Sequence, residues 1–546
     1  MLSITSIISV TIIAIGLLFF GVFISQSGKL THFINFLIVI YFSYFLWLDN
    51  SGLFYTNMLG NPVSPFDFLQ EDSLYFRFFV MYTTIILIVF FIGISDRFFR
   101  SKSAIFEFPR LILFLHFGGL FTLYRNNFRD IFLAIELVTL TSYVLITFER
   151  QNRFSTYAGI QYFILGSLPS AMILIAFGLF YLQGGSIALQ DLDMLFNTVT
   201  TSSAIVKLND LTFIMNRNTS SDVTADLSGS NWYLTQSDLS FFDIESIKNA
   251  VDCVNPINSI RILAFSFLFF NFFFKLTAAP FHIWAPSVYG KGPIASVAFL
   301  SIYSKTRIFF LMYKFRNMFL HAFSFISLST LRVVGLLSIV TGILGAFSEK
   351  TIKRFFVYSS MGHVGFRLIG FSLGTIEGSI AAFHYLFIYI LSSFVMWFRL
   401  LSRGRDKQKL VQLSSLKHTN PVLSLVFAFL VFSMSGIPPF AGFFIKLDIL
   451  AAVMDSSHFF VTYFLFFCTV VSFFYYLRLI KIMFFDDQVH SDKNVITFAN
   501  VYSVEYPINT YRAWVRAAII IFLGCYMLVM HKPMFMLESQ ILSSLF

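Results

Sequence analysis

The chain has 546 residues, 57% hydrophobic and only 12% charged, with a formal net charge of +10. Soluble globular chains carry about 25% charged residues, and here the apolar runs recur from end to end. This excludes a soluble domain with a single anchor and implies a membrane protein with many spans. The basic excess lies in short loops between apolar runs, the topogenic pattern, so nucleic acid is not the expected partner.

The three cysteines, Cys253, Cys468 and Cys525, form no CxxC or Cys/His pattern. A disulfide framework, zinc and iron–sulfur ligation are therefore unsupported. The first apolar run begins at Leu2 with no basic region before it and no cleavage site after it, so the first span is expected to be retained. Phenylalanine, at 76 residues, is over-used; lipid-facing positions accept any apolar side chain, and an AT-rich, organellar genome would supply this one.

A span needs about 20 mostly apolar residues, and the chain reads as an all-α polytopic membrane protein with about 14 spans. In chain order these are expected at 2–25, 33–48, 76–95, 106–124, 129–148, 161–183, 260–284, 293–313, 325–347, 352–372, 376–400, 421–454, 458–485 and 514–537. The loops after odd-numbered spans carry DRFFRSK, ERQNR, EKTIKR, RLLSRGRDKQK and RLIKI. Those after the second and twelfth carry no Lys or Arg, and the one after the tenth has Arg367. The odd loops thus face the matrix or cytoplasm and both termini face the opposite side. The two arginines of 125–129 run against this assignment.

Residues 185–258 are polar, with TSSAIVKLND and NRNTSSDVTADLSGSNW. The segment is too long for an ordinary interhelical connection and is expected on the outer side. It reads either as a partly ordered surface insertion or as a docking surface for another subunit.

An ionisable side chain at mid-membrane costs at least about 2.5–3.5 kcal/mol on insertion scales, so such residues mark function by default. The candidates are Glu136 in IFLAIELVTLTSYVLI, Lys275 in FLFFNFFFKLTAAPF, Lys305 in VAFLSIYSKTRIFFLM, His363 in VYSSMGHVGFRLIG, His384 in IAAFHYLFIYIL, and Lys446 in FAGFFIKLDILAAV with Asp448 beside it. Each has a plain structural alternative. A lysine near a span end can snorkel to the headgroups, although apolar residues flank Lys275 and Lys305 on both sides. Glu136 could form a structural ion pair with a lysine. His384 alone reads better as a packed, hydrogen-bonded residue. His363 has Ser359, Ser360 and Gly362 around it, which suggests a tightly packed polar path. Three lysines and a glutamate on four separate spans favour ion translocation.

Proline sharpens this. Pro280 interrupts the helix just after Lys275, and Pro438 and Pro439 interrupt another just before Lys446. A broken helix frees backbone carbonyls, tolerated at membrane depth only against protein or a watery cavity. Two such spans, one in each half of the chain, point to internally repeated transporter architecture.

The stretches FKLTAAPFHIWAPSVYGKGP, SKTRIFFLMYKF, GAFSEKTIKRFFVYSSMGHVG, SMSGIPPFAGFFIKLDIL and SFFYYLRLIKIMFF, taken in this order and spacing, resemble subunit 2 of NADH:ubiquinone oxidoreductase (respiratory complex I). That subunit sits in the wider family of antiporter-like subunits related to Mrp-type cation/proton antiporters. The resemblance covers about residues 104–485 apart from the polar insertion, with a lysine at position 446 separating it from subunit 4.

The resemblance implies a fourteen-helix fold of two inverted five-helix repeats with broken helices: N-terminal helices in 1–103, a first repeat in 104–313 with the insertion 185–258, a second repeat in 325–485, and a polar loop and last helix in 486–546. It places the family's functional residues on Glu136, Lys275, Lys305, His363 and Lys446. It implies a mitochondrial inner-membrane location, or a bacterial plasma membrane. Its partners would be other membrane-arm subunits of complex I, including antiporter-like and accessory subunits, and membrane lipids, with no nucleic acid. NADH, FMN, iron–sulfur clusters and ubiquinone are expected on other subunits, and no cofactor on this chain. The sequence departs from the family at Glu349 and Lys350, where Gln is frequent before IKR, and at Asp448. A stand-alone cation/proton antiporter and a non-translocating scaffold are the alternatives.

Overall fold

The computed structural model describes residues 102–189, 256–403, 410–414, 417, 421–438 and 440–485, together with Thr83, Ile86 and Leu87. The first two expected spans, nearly all of the third, the last one, Pro439, Cys253, Cys525 and most of the polar insertion lie outside the described residues.

Twelve α-helices account for nearly all of the described chain. They are α1 (Lys102–Tyr124), α2 (Phe128–Ile146), α3 (Arg153–Gly184), α4 (Pro256–Leu276), α5 (Trp284–Lys291), α6 (Ile294–Lys314), α7 (Arg316–Ser348), α8 (Ile352–Phe371), α9 (Ile376–Arg403), α10 (Pro421–Ser435), α11 (Ala441–Asp455) and α12 (Phe459–Phe484). Hydropathy locates these helices but not their ends. Helix α3 begins eight residues before the apolar run, where the Asn152 side chain accepts a hydrogen bond from Phe154 N at 3.1 Å and caps it. Helix α7 begins at Arg316, nine residues before the expected 325. Polar residues such as Arg316 and Asn317 end an apolar run without ending a helix, which needs Pro, Gly or a cap.

Among the described residues, five helices are long and apolar enough to cross a membrane by length and composition. They fall into two groups. In α6 and α9 the most apolar stretch is 94% buried within the protein, whereas in α3 it is 33%, in α12 39% and in α7 44% buried. A helix that is apolar all round is either central or lipid-facing. Here α6 and α9 are central, and α3, α7 and α12 present Phe163, Leu182, Leu344, Phe460 and Phe467 outward.

Aromatic side chains fill the joints. Phe128 stacks on Phe177 at 4.5 Å between ring centres. Trp284 lies between Tyr162, at 4.9 Å, and Phe274, at 5.1 Å, both nearly parallel to it. That sandwich pins α5 against α3 and against the end of α4.

The start of the polar insertion folds back. Gly185 ends α3 at φ 65°, a backbone angle that favours glycine. The chain then pairs with the 125–127 loop, with Phe128 N donating to Ile187 O at 3.0 Å and Leu189 N to Asn126 O at 2.9 Å. In the same loop Asp130 faces both Arg125 and Arg129, at 3.9 and 3.5 Å.

Candidate functional site

Both proline-marked spans are broken. Helix α4 stops at Leu276; Thr277 has φ 61°, and Ala279–Pro280 is a cis peptide. The N–H groups freed by the break are satisfied from inside the protein: Ala278 N donates to Phe273 O at 2.9 Å, and Ala279 N to the Ser338 hydroxyl of α7 at 2.9 Å. Trp284 Nε1 donates to Phe274 O at 3.1 Å, taking a carbonyl near the helix end. The second break separates α10 from α11 at Gly436–Phe440, with Gly436 at φ 86°. Its glycine lets the chain turn sharply and lets the lysine stem lie against the turn.

The two lysines use their breaks differently. Lys275 lies in the last turn of α4. Part of its stem is exposed, but Nζ is enclosed and makes no hydrogen bond to protein. Its charged neighbours are Arg307 and Glu136. Lys446 lies on α11 after the break, and its Nζ donates to the Ser435 carbonyl at 2.7 Å. The ammonium thus sits on the carbonyl end of α10, where an unpaired C=O and the helix dipole both favour a cation.

Glu136 sits on α2, half-buried, and accepts from Thr139 Oγ1 at 3.2 Å. It makes no ion pair within 4 Å among the described residues, so the structural pairing with a lysine is not the arrangement found. Lys305 is buried in α6 and donates to Ser360 Oγ of α8 at 2.6 Å. His363, one turn further along α8, is held at both ring nitrogens. Nδ1 is 2.7 Å from the Tyr385 hydroxyl of α9, and Nε2 is 2.9 Å from the Tyr476 hydroxyl of α12. Tyr476 in turn donates to Ser359 Oγ at 3.2 Å. His363 and Lys446 line one cavity together with Tyr385, Tyr389, Ser392 and Ser433. The cavity is small and mostly apolar, with its polar atoms supplied by these side chains.

The candidate residues therefore divide into three groups. Lys305, Ser360 and His363 form a compact cluster between α6 and α8. His363 and Lys446 share the adjoining cavity. Glu136 and Lys275 form a separate end near the first break, with Arg307 beside Lys275. No direct hydrogen bond joins the first group to the last among the described residues.

Two buried arginines escaped the sequence reading. Arg307, two residues after Lys305, is 1% exposed, and its Nε and Nη1 make no hydrogen bond to protein. Arg367, expected in a loop after the tenth span, lies within α8 and is 0% exposed. It sits on the faces of Tyr389 and Phe309, at 4.7 and 5.0 Å, and its Nε donates to the His363 carbonyl at 3.2 Å. The signal was present: both arginines stand inside apolar runs, SKTRIFF and GFRLIG. A third basic residue also differs from its assignment. Lys353, read as a topogenic loop charge, is 3% exposed and donates to the Gly292 carbonyl at 2.9 Å.

His384 is packed and hydrogen-bonded, as its isolated position suggested, and its partner is Asp448 at 2.7 Å.

A family model described as the transmembrane part of NADH:quinone oxidoreductase and Mrp antiporters matches residues 125–217 and 227–472. NADH-quinone oxidoreductase subunit N of Rickettsia bellii is 30% identical over 444 residues, covering 78% of this chain and 85% of that one. NADH-ubiquinone oxidoreductase chain 2 of Arabidopsis thaliana is 31% identical over 398 residues, covering 72% and 68%. Among solved structures, a chain of respiratory complex I from Thermus thermophilus superposes with a TM-score of 0.66 at 21% identity, over 96% of this chain and 97% of that one. A chain of the Mrp complex from Dietzia sp. does so with a TM-score of 0.69 at 16% identity, over 99% and 97%. The chain belongs to the NADH:quinone oxidoreductase/Mrp antiporter transmembrane family.

Proposed function

We propose that this chain is a membrane-arm subunit of a proton-pumping NADH:quinone oxidoreductase. It carries protons through Glu136, Lys275, Lys305, His363 and Lys446, driven by redox chemistry in other subunits. The observation that carries this reading is the buried row of polar groups formed by Lys305–Ser360, His363–Tyr476 and the cavity that His363 shares with Lys446. Its relatives named subunit N and chain 2 of that enzyme support it.

In this reading the fold is completed to fourteen spans in two inverted repeats, and α4–α5 and α10–α11 are their broken helices. Both termini face the intermembrane space of a mitochondrial inner membrane. Burial and a neighbouring carboxylate act in opposite senses on the charge of a lysine. Moving Glu136 relative to Lys275 therefore alters the proton affinity of Lys275, and a change of one pKa unit corresponds to about 1.4 kcal/mol. That change is passed on to Lys305, His363 and Lys446 in turn. Partners are the other membrane-arm subunits, and NADH, FMN, iron–sulfur clusters and quinone are bound elsewhere.

Gentle detergent extraction, native gel separation and in-gel NADH dehydrogenase staining, with mass spectrometry of the band, test this assignment. Migration of the chain in a very large NADH-oxidising particle is the expected outcome. Migration alone, or with a few small membrane partners and no NADH oxidation, would overturn it in favour of a cation/proton antiporter.

A further inference from the structure

The His384–Asp448 pair has no place in the line above, yet it borders it. Ile388 of α9 and Ile445 of α11 line the Lys446 cavity. His384 is four residues before Ile388, and Asp448 is three after Ile445, so each lies on the cavity-lining face of its own helix, one turn further on. Both steps run the same way along the α9–α11 seam, because the helices are antiparallel there. The imidazole is 0% exposed and the carboxylate 15%, and Nδ1 to Oδ2 is 2.7 Å. The seam thus runs from an enclosed cavity to a buried imidazole held by a carboxylate that is itself mostly buried.

We propose that His384 and Asp448 form a further proton-carrying dyad adjoining the Lys446 cavity. This rests on the proton-pumping reading above. Histidine takes up and releases a proton near neutral pH and can present both nitrogens at once. A buried charged imidazole needs a facing carboxylate, which Asp448 supplies. One proton leaves the Lys446 ammonium, crosses the cavity, and is held as imidazolium on His384 against the Asp448 carboxylate. It then leaves by way of Asp448, and the dyad returns to neutral imidazole and carboxylate.

Other titratable or charged groups, among the described residues, lie on the helices packed around the dyad. Helix α8 offers His363 and Arg367, and α6 offers Lys305, Arg307 and Tyr313, the last packed on Phe383 at 5.1 Å. Helix α9 itself carries Glu377, Tyr385, Tyr389, Arg399 and Arg403, α12 carries Tyr463, Cys468, Tyr475, Tyr476, Arg478 and Lys481, and α10 carries none. Lys446 is thus the cation on the dyad's own helix that shares its seam.

The test uses the assembled complex in native membrane vesicles, with NADH-driven acidification and NADH oxidation measured across pH for Asp448→Asn, His384→Gln, the double variant and Asp448→Glu. Glu136→Gln is run beside them. The proposal expects the first three to assemble, to oxidise NADH, and to acidify about 10-fold or more slowly per NADH oxidised, as on removal of a positioned proton carrier. The double variant should be no worse than either single one, and Asp448→Glu should restore pumping with a shifted pH profile. Unchanged acidification and pH profile in Asp448→Asn and His384→Gln, with Glu136→Gln impaired, would overturn the dyad and leave the pumping assignment standing. Normal pumping in Glu136→Gln would instead sink that assignment. Should the single variants fail to assemble, the paired apolar variant His384→Phe with Asp448→Leu decides: assembly with normal pumping makes the pair a packing contact and overturns the proposal, and assembly without pumping supports it.

Discussion

Lys305 Nζ and Ser360 Oγ lie 2.6 Å apart between α6 and α8, and the serine hydroxyl donates to the Val357 carbonyl at 2.6 Å. The lysine therefore has one fixed hydroxyl acceptor inside a helix pair that is otherwise closed to solvent. A hydrogen bond to a charged group contributes about 1.5–3 kcal/mol. Ser360→Ala should accordingly lower the ratio of charged to neutral Lys305 by about 10- to 100-fold at a given pH. Proton pumping in vesicles should fall, while the assembled complex on a native gel stays at its normal level. Ser360→Thr keeps the hydroxyl and should retain most of the activity. Full pumping in Ser360→Ala would show that Lys305 needs no such acceptor.

His363 is oriented by two tyrosines on two different helices. A neutral imidazole donates at one nitrogen and accepts at the other, so Tyr385 and Tyr476 together select its tautomer. Tyr385→Phe and Tyr476→Phe should each leave one buried ring nitrogen unpaired, at about 1–3 kcal/mol. The expected signature is slowed pumping in each single variant and a shifted pH dependence of the pumping rate. Equal rates and pH profiles in wild type and both variants would remove the tyrosines from the pathway.

Gly436 lies at φ 86° in the second break, and a Cβ there would come within 2.9 Å of the Lys446 stem. Gly436→Ala adds a left-handed backbone cost of about 1–2 kcal/mol and pushes Lys446 off the Ser435 carbonyl. Coupled proton transport should drop more than the amount of assembled complex does. A variant that pumps normally would mean that the lysine's seat on α10 is dispensable.

The α7–α8 contact is made by backbone. A Cβ at Gly342 would meet Gly362 N at 2.7 Å and Tyr358 O at 2.9 Å, and one at Gly365 would meet Gly335 O at 2.6 Å. Backbone cannot rotate aside as a side-chain tip can. Gly342→Val and Gly365→Val should therefore reduce the level of assembled complex on native gels, with pumping falling in proportion. Normal assembly in both would refute this tight packing.

Glu136 faces Lys275 without an ion pair. Glu136→Gln preserves the Thr139 hydrogen bond and removes only the charge. Assembly should be unaffected and NADH-driven acidification strongly reduced. Wild-type acidification would sink the model of charge transmission from Glu136 to Lys275.

The sequence alone determined the membrane class, the approximate positions of most of the described helices and the two breaks. It also supplied the row of ionisable residues, since Lys275, Lys305 and Lys446 each stand in a run with little other charge. It did so because the bilayer acts on composition: a span must be apolar for its whole length, a proline lacks an N–H, and a charge in such a run is costly wherever the helix packs. Helix ends were less legible, as α3 and α7 show, because a hydrophobic run and a hydrogen-bonded helix end for different reasons.

What only the tertiary structure decided was which charges face one another. Arg367 reads from the chain as the edge of a loop, but the packing of α8 against α6 and α9 encloses it between Phe309 and Tyr389. His384 and Asp448 are 64 residues apart, and nothing local in either run marks the other. Lys275 and Lys446 both sit beside a proline, yet Lys446 finds a carbonyl and Lys275 Nζ has no protein partner. Such pairings depend on which helix faces meet, and a helical pattern fixes the face that is buried without fixing the neighbour that covers it.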